Sequence, residues 1–195
     1  MNLRVLAAAG AVALLIAGCT SNGSLEEQYA DGSGQGYISG DGAYTEIPAA
    51  DRGAPIVFEG VDEHGDSISS DSLAGQVYVV NFWYAGCPPC RVEAPDLAAL
   101  ATDYEGEVPF IGVNVTDSAD VAITFAEKFG VPYPSIIDAS TASVQLAFAG
   151  AVAPNAVPTT LVVDGEGRVA ARISGLLRDQ SILKSMVDTV LAEDD

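Results

Sequence analysis

Basic residues are scarce, with 8 Lys and Arg against 27 Asp and Glu and a formal net charge of −19. Phosphate backbones repel such a surface, which excludes nucleic acid as a partner. Cysteine is scarcer still. Three cysteines, Cys19, Cys87 and Cys90, cannot staple a disulfide-dense scaffold, and an all-cysteine zinc site needs a fourth. The single histidine, His64, stands in the polar stretch "DEHGD" and reads as a solvated turn residue. Even combined with Cys87 and Cys90 it leaves zinc without a fourth ligand, so no metal is expected. Apolar runs long enough to span a bilayer are missing too. The N-terminal one, from Val5 to Ala17, is free of charge but shorter than the roughly 20 residues a transmembrane helix needs.

That run follows Arg4, and its flanks suit a secretory signal. The segment "LIAGC" resembles a bacterial lipobox, which implies cleavage after Gly18 and lipidation of Cys19. A plain signal peptide, or an uncleaved anchor with an idle Cys19, is the other reading. Two or more acyl chains would hold the protein stably on the outer face of the membrane. Removal of residues 1–18 leaves 7 basic and 27 acidic residues, a net charge of −20. Such a balance could steer basic partners, or it is simply a solvated acidic surface.

The 195 residues, 49% hydrophobic, suffice for one packed domain with appendages. The organisation expected is a signal peptide over 1–18, a lipidated flexible tether over 19–44 and a globular domain over 45–195. The tether is polar, acidic and Gly-rich, although its second half, "GYISGDGAYTEIP", has enough aromatic and branched residues to pack as an extended arm.

The globular part alternates strand and helix patterns. "PIVFEGVDEHGDSISSDSLAG" suggests two short strands about a turn at His64–Gly65. "QVYVVNFW" lacks polar alternation until Asn81 and reads as a central strand buried on both faces. "PPCRVEAPDLAALATDY" reads as a helix with Val92, Leu97, Ala98 and Leu100 as apolar or small positions and Pro95 as a kink. "VPFIGVNV" is another buried strand. In "DSADVAITFAEKFG", Val121, Phe125 and Phe129 share a helical face that Gly130 ends. "PSIID" is a short strand, "TASVQLAF" a short helix, and "TTLVVD-GEG-RVAARIS" a hairpin. A last amphipathic helix carries Ile182, Leu183, Met186, Val187 and Val190. This order predicts an α/β fold with one central mixed sheet flanked by helices.

The chemistry lies in "NFWYAGCPPCRVEAP". Pro88 and Pro89 fit the first helical positions, where a missing N–H costs little, and so place Cys87 at the N-cap. The helix dipole there favours a thiolate. Cys90, one turn on, lies roughly 5–6 Å away between β-carbons, close enough to form a disulfide. A purely structural bridge over so short a loop would contribute only roughly 2 kcal/mol in the chain-entropy model. An exposed helix-capping sulfur is the chemistry of an exchanging disulfide, and a catalytic dithiol is the stronger reading.

The segment "VVNFWYAGCPPCRVEAP" resembles the active-site segment of thioredoxin-fold proteins, particularly the TlpA/ResA-like extracytoplasmic thiol-disulfide oxidoreductases. Trp83 four residues before Cys87, Pro95 five after Cys90, and "AVPTT" at 156–160 extend the likeness, which covers roughly residues 45 to 193. The resemblance implies a thioredoxin-like fold with an inserted β-α unit near 108–130 and N-terminal strands. It makes Cys87 the attacking thiolate and Cys90 the resolving thiol. Pro158 becomes a cis-proline facing the dithiol, and Val157 lends its backbone to an extended substrate. Trp83 and Thr159 complete the substrate side. Glu93 would lie beneath the dithiol and shuttle the proton of Cys90, unless it is an exposed first-turn glutamate. Asn81 stands where thioredoxins keep a buried acid. Gly86 departs from the family's aromatic residue before the first cysteine, and Tyr84 either substitutes for it or merely packs. An ordinary loop proline remains the other reading of Pro158.

The missing N–H groups of Pro88 and Pro89 and the acidic surface disfavour the Cys87 thiolate and push the couple towards reductant. The resemblance implies no cofactor, a monomer, a membrane electron donor of the CcdA/DsbD type and protein disulfide substrates such as apocytochrome c. A disulfide-introducing oxidase of the same fold and a non-enzymatic peptide-binding lipoprotein are the rival functions.

Overall fold

The computed structural model describes residues 37–39, 42–151 and 156–194. The expected signal segment, Cys19 and most of the tether lie outside the described residues. Strand β5 (Tyr78–Trp83) is buried at every position and sits inside a seven-stranded sheet. Its residues Tyr78, Val80 and Phe82 join one apolar cluster and Val79 joins the other, as the two-residue side-chain period of a strand requires.

Around it are β6 (Phe110–Asn114) in parallel and β8 (Thr159–Val163) antiparallel. Strand β7 (Ser135–Ile137) continues beyond β6, and β9 (Val169–Ser174) beyond β8. The far edge is a hairpin of β1 (Tyr37–Ser39) and β2 (Gly42–Glu46), with β2 pairing β9. The sheet order is β1-β2-β9-β8-β5-β6-β7. A separate hairpin, β3 (Glu59–Val61) with β4 (Ser67–Ser69), turns at His64–Gly65, where Asp62 Oδ1 accepts the His64 N–H at 2.8 Å. The α/β, thioredoxin-like fold is thus observed, with its inserted β-α unit and N-terminal strands.

Helices α1 (Pro88–Asp103) and α4 (Gln180–Asp194) cover one face of the sheet. Leu97 and Leu100 of α1 and Leu183, Met186, Val187 and Val190 of α4 interlock there with Val79, Val162 and Ile173. The other face is closed by the β3–β4 hairpin and α3 (Ser143–Ala147) through Phe58, Phe82, Val144 and Phe148. Helix α2 (Ala119–Phe129) ends at Gly130, whose φ of 68° is the left-handed cap that glycine adopts freely.

Two expectations are corrected. Val92 is 64% exposed, because α1 turns Glu93, Ala94 and Leu97 inward instead. On α2 the inward face is Ala122 and Phe125, which leaves Val121 42% exposed. Helix α1 carries Pro95 in its interior and continues to Asp103. Pro95 lies on the solvent side, where the carbonyl it leaves unpaired can be hydrated.

Candidate active site

Cys87 is the N-cap of α1, with Pro88 and Pro89 at the first two helical positions. It forms a disulfide with Cys90, the two Cα atoms 5.3 Å apart. With two prolines ahead of it, the first amide able to point back is that of Cys90, and its N–H reaches the Cys87 Sγ at 3.2 Å. The sequence leads one to expect an exposed sulfur, but Cys87 is only 2% exposed. It packs with Trp83, Cys90, Ala94 and Phe125, with Tyr84 and Val157 against the cluster. Gly86 and Pro88 on either side of it are exposed, so the bridge lies one layer below the surface.

The Val157–Pro158 peptide is cis, and Pro158 is buried. Val157 is half-buried against the dithiol cluster. Thr159 is fully buried and its hydroxyl donates to the Ala156 carbonyl at 2.7 Å, so its side chain is turned inward. Trp83, expected on the substrate side, is 5% exposed. Its ring packs on Phe125 with centroids 4.3 Å apart, and Nε1 donates to Ser135 Oγ at 3.2 Å. Trp83 and Thr159 therefore lie beneath the surface, and Val157 is the half-buried member of the set.

Glu93 is 1% exposed, which excludes the first-turn surface reading. Strand parity places Asn81 on the same side of β5 as Val79, towards α1. There the Asn81 amide donates to Glu93 Oε1 at 3.1 Å and to Thr160 Oγ1 at 3.0 Å. Thr160 is the direct cross-strand partner of Asn81. Glu93 Oε2 accepts the Leu177 N–H at 2.9 Å. Burial pushes the Glu93 carboxyl up to about 7, with the charge of Asp96 adding to the rise and the two hydrogen bonds holding it back. A buried carboxyl poised near neutrality, one turn from Cys90, can exchange protons at physiological pH. Thr160, Leu177 and Ser135 carried no sequence signal; each meets the site only through sheet pairing or a long-range contact.

A cavity of about 10 Å³, the room of roughly one water, lies beside Cys90 between Asn81, Trp83, Tyr133 and Ser135. Tyr84, half-buried, lies against the open position at Gly86. A Cβ built there would sit 3.4 Å from Tyr84 Cε2. Among the described residues no group of three His, Cys, Asp or Glu side chains is placed to hold a metal, and no helix is long and apolar enough to cross a membrane.

An oxidisable Cys-Pro-Pro-Cys pair at a helix tip, a cis-proline beside it and a buried ionisable carboxyl one helical turn further on define a thiol-disulfide oxidoreductase of the thioredoxin class. Residues 45–191 match the sequence profile of the Redoxin family, and the chain belongs to that family. It is 35% identical over 144 residues to the thiol:disulfide interchange protein HelX of Rhodobacter capsulatus, covering 73% of this chain and 77% of HelX. Against the thiol-disulfide oxidoreductase ResA of Bacillus subtilis the identity is 30% over 122 residues, which covers 62% of this chain and 65% of ResA. The chain thus spans just under two thirds of ResA. Among solved structures, a DsbF homologue from Corynebacterium diphtheriae superposes with a TM-score of 0.66 at 28% identity, covering 75% of this chain and 92% of that one.

Proposed function

We propose that the protein is an extracytoplasmic, lipid-anchored reductase of protein disulfides. Its clients would include apocytochrome c before haem attachment, and a membrane dithiol donor of the CcdA/DsbD type would recharge it. The observation that carries this reading is the Cys87–Cys90 disulfide at the tip of α1, with Glu93 buried one turn further along the same helix. The reducing direction is supported by Pro88 and Pro89, which withhold two amide donors from the Cys87 sulfur, and by the acidic charge of the chain. The apolar run before Cys19 supports the anchor.

In the forward reaction the Cys87 thiolate attacks a client disulfide and forms a mixed disulfide, releasing one client thiolate. The Val157 backbone, beside the cis-proline, pairs with the extended client segment. Cys90 then gives its proton to the Glu93 carboxylate and attacks the Cys87 sulfur. The second client thiol leaves, and two electrons have passed from the Cys87–Cys90 dithiol to the client. Because Cys87 is nearly covered, the client must displace the rim at Gly86 and Val157 to reach it.

Insulin reduction driven by dithiothreitol tests the assignment. The wild-type protein accelerates it and Cys87→Ser does not, while Cys90→Ser accumulates mixed disulfides with clients. Retained activity in Cys87→Ser, or a reduction potential as oxidising as that of DsbA, overturns the reading.

A further inference from the structure

Asp117 lies on the loop between β6 and α2, and its carboxylate reaches the turn that carries the dithiol. Oδ2 accepts the Ala85 N–H at 2.6 Å, two residues before Cys87. The same oxygen accepts from Asn114 Nδ2 at 3.0 Å. Asn114 is fully buried, and its Oδ1 takes the amides of Thr116 at 3.2 Å and Asp117 at 2.7 Å, so the carboxylate is held from both ends. The Val115 N–H donates to the Trp83 carbonyl at 3.1 Å. From the other side Arg91 Nη1 approaches the Ala85 carbonyl at 3.4 Å, and the Cys87 N–H closes the turn on the Tyr84 carbonyl at 3.1 Å.

We propose that Asp117 is a positioning residue of the exchange reaction: it fixes the Tyr84–Gly86 turn that presents Cys87, and it sets a negative charge beside the sulfur that holds the couple on its reducing side. The inference rests on the reductase reading above. Ala85 is gripped at its N–H by an anion and at its carbonyl by a cation, which leaves the turn little freedom to reorient when the disulfide opens. When a donor dithiol reduces the bond, it supplies two electrons and becomes a disulfide. Cys87 leaves as a thiolate, and Cys90 takes a proton to become a thiol. The fixed anion disfavours that thiolate, so the dithiol passes its electrons on more readily. The other charged groups on the elements packed against Cys87 are Arg91, Glu93, Asp96 and Asp103 on its own helix and Asp120, Glu127 and Lys128 on α2. Arg91 and Lys128 both lie over the Phe129 ring, at 5.7 and 5.6 Å from its centroid. Among the described carboxylates, Asp117 is the one bonded to the turn itself.

The charge and the grip separate experimentally, because both bonds end on one oxygen. In Asp117→Asn the amide oxygen can keep both bonds while the charge is lost; Asp117→Ala loses both. The probes are iodoacetamide alkylation of reduced Cys87 as a function of pH, and equilibration with dithiothreitol of fixed redox ratio. Asp117→Asn is expected to move the alkylation midpoint to lower pH and shift the equilibrium towards the dithiol by about three- to tenfold, with the exchange rate at equal thiolate fraction unchanged. Asp117→Ala is expected to show the same shift and a slower exchange. A wild-type profile and equilibrium in Asp117→Asn overturn the proposal, as do shifts confined to Asp117→Ala. Failure of the reductase reading is distinguishable: the wild-type protein would then not reduce insulin, whereas the alkylation profiles require no client.

Discussion

Asn81 Nδ2 lies 3.1 Å from Glu93 Oε1, an amide donor held against a carboxyl that is 1% exposed. Both carboxyl oxygens accept an N–H, one from Asn81 and one from Leu177. The group is therefore bonded but desolvated, and desolvation wins, bringing it up from 4.5 to about 7. Between those values the folded chain binds the extra proton, so this group makes stability fall as pH rises from 4.5 to 7 and level off above. The fall is on the order of 3 kcal/mol. Glu93→Gln removes the slope. Its amide must turn an NH2 towards one of the two donors, at a pH-independent cost of about 1–3 kcal/mol. Urea denaturation across pH should show the variant weaker than wild type near pH 5 and equal or stronger above pH 7.

Asn81→Asp converts the donor into a second acceptor facing Glu93. Two buried carboxyls in contact hold one proton between them. Stability above pH 7 should drop by more than about 2 kcal/mol, and the loss should shrink as acid supplies the shared proton. A variant equally destabilised at pH 5 and pH 8 would contradict this account of the site.

Much of the fold was legible in local pattern. The unbroken apolar run of β5 marked a central strand, and Pro88–Pro89 marked the start of α1 and so the position of Cys87. What escaped was whatever depends on distant pairing. The bonds Asp117–Ala85, Trp83–Ser135 and Asn81–Thr160 join residues 32, 52 and 79 positions apart, and no window of sequence contains them. The burial of Cys87 escaped for the same reason, since the residues that cover it come from β5, α2 and the loop before β8. Val92 misled because an apolar residue on a helix need not face the core.

Gly86 stands where the resembling family carries an aromatic residue, and its backbone does not lie in the left-handed region. A side chain there would meet Tyr84 at ordinary contact distance. Gly86→Trp should therefore leave stability within about 0.5 kcal/mol of wild type. Its effect should fall on KM for peptide disulfides of different sequence, with kcat little changed.

Gly112 is the opposite case. A Cβ there would lie 2.2 Å from Ser135 Oγ and 2.8 Å from Trp83 Nε1, on top of the hydrogen bond that holds the indole. Gly112→Ala should destabilise the fold by about 1–3 kcal/mol and dislodge the ring. The chain has one tryptophan, so its fluorescence reports that ring alone. An unchanged emission spectrum would mean that the strand shifts instead of the indole.

Far from the dithiol, Asp164 is fully buried and receives Arg52 Nη1 at 3.0 Å and Arg168 Nε at 2.9 Å, together with the Glu166 and Arg168 amides. Arg52 also donates to the Ile47 carbonyl at 3.0 Å and pairs with Glu193, so one guanidinium links the segment after β2, the β8–β9 turn and α4. Burial alone would raise the Asp164 carboxyl, but the Arg168 amide and the two guanidiniums overcome it and hold the group below 3.8. Its contribution to stability is thus complete above that value and lost as pH falls through the depressed one. Asp164→Ala leaves the buried Arg52 guanidinium without this partner and should cost about 3–5 kcal/mol at pH 7. Because the acid-sensitive group is then gone, the gap between variant and wild type should narrow as pH falls below 3.8, which paired denaturation curves at pH 7 and about pH 2.5 would reveal. A gap that stays constant would assign the cost to the turn geometry and not to the charge.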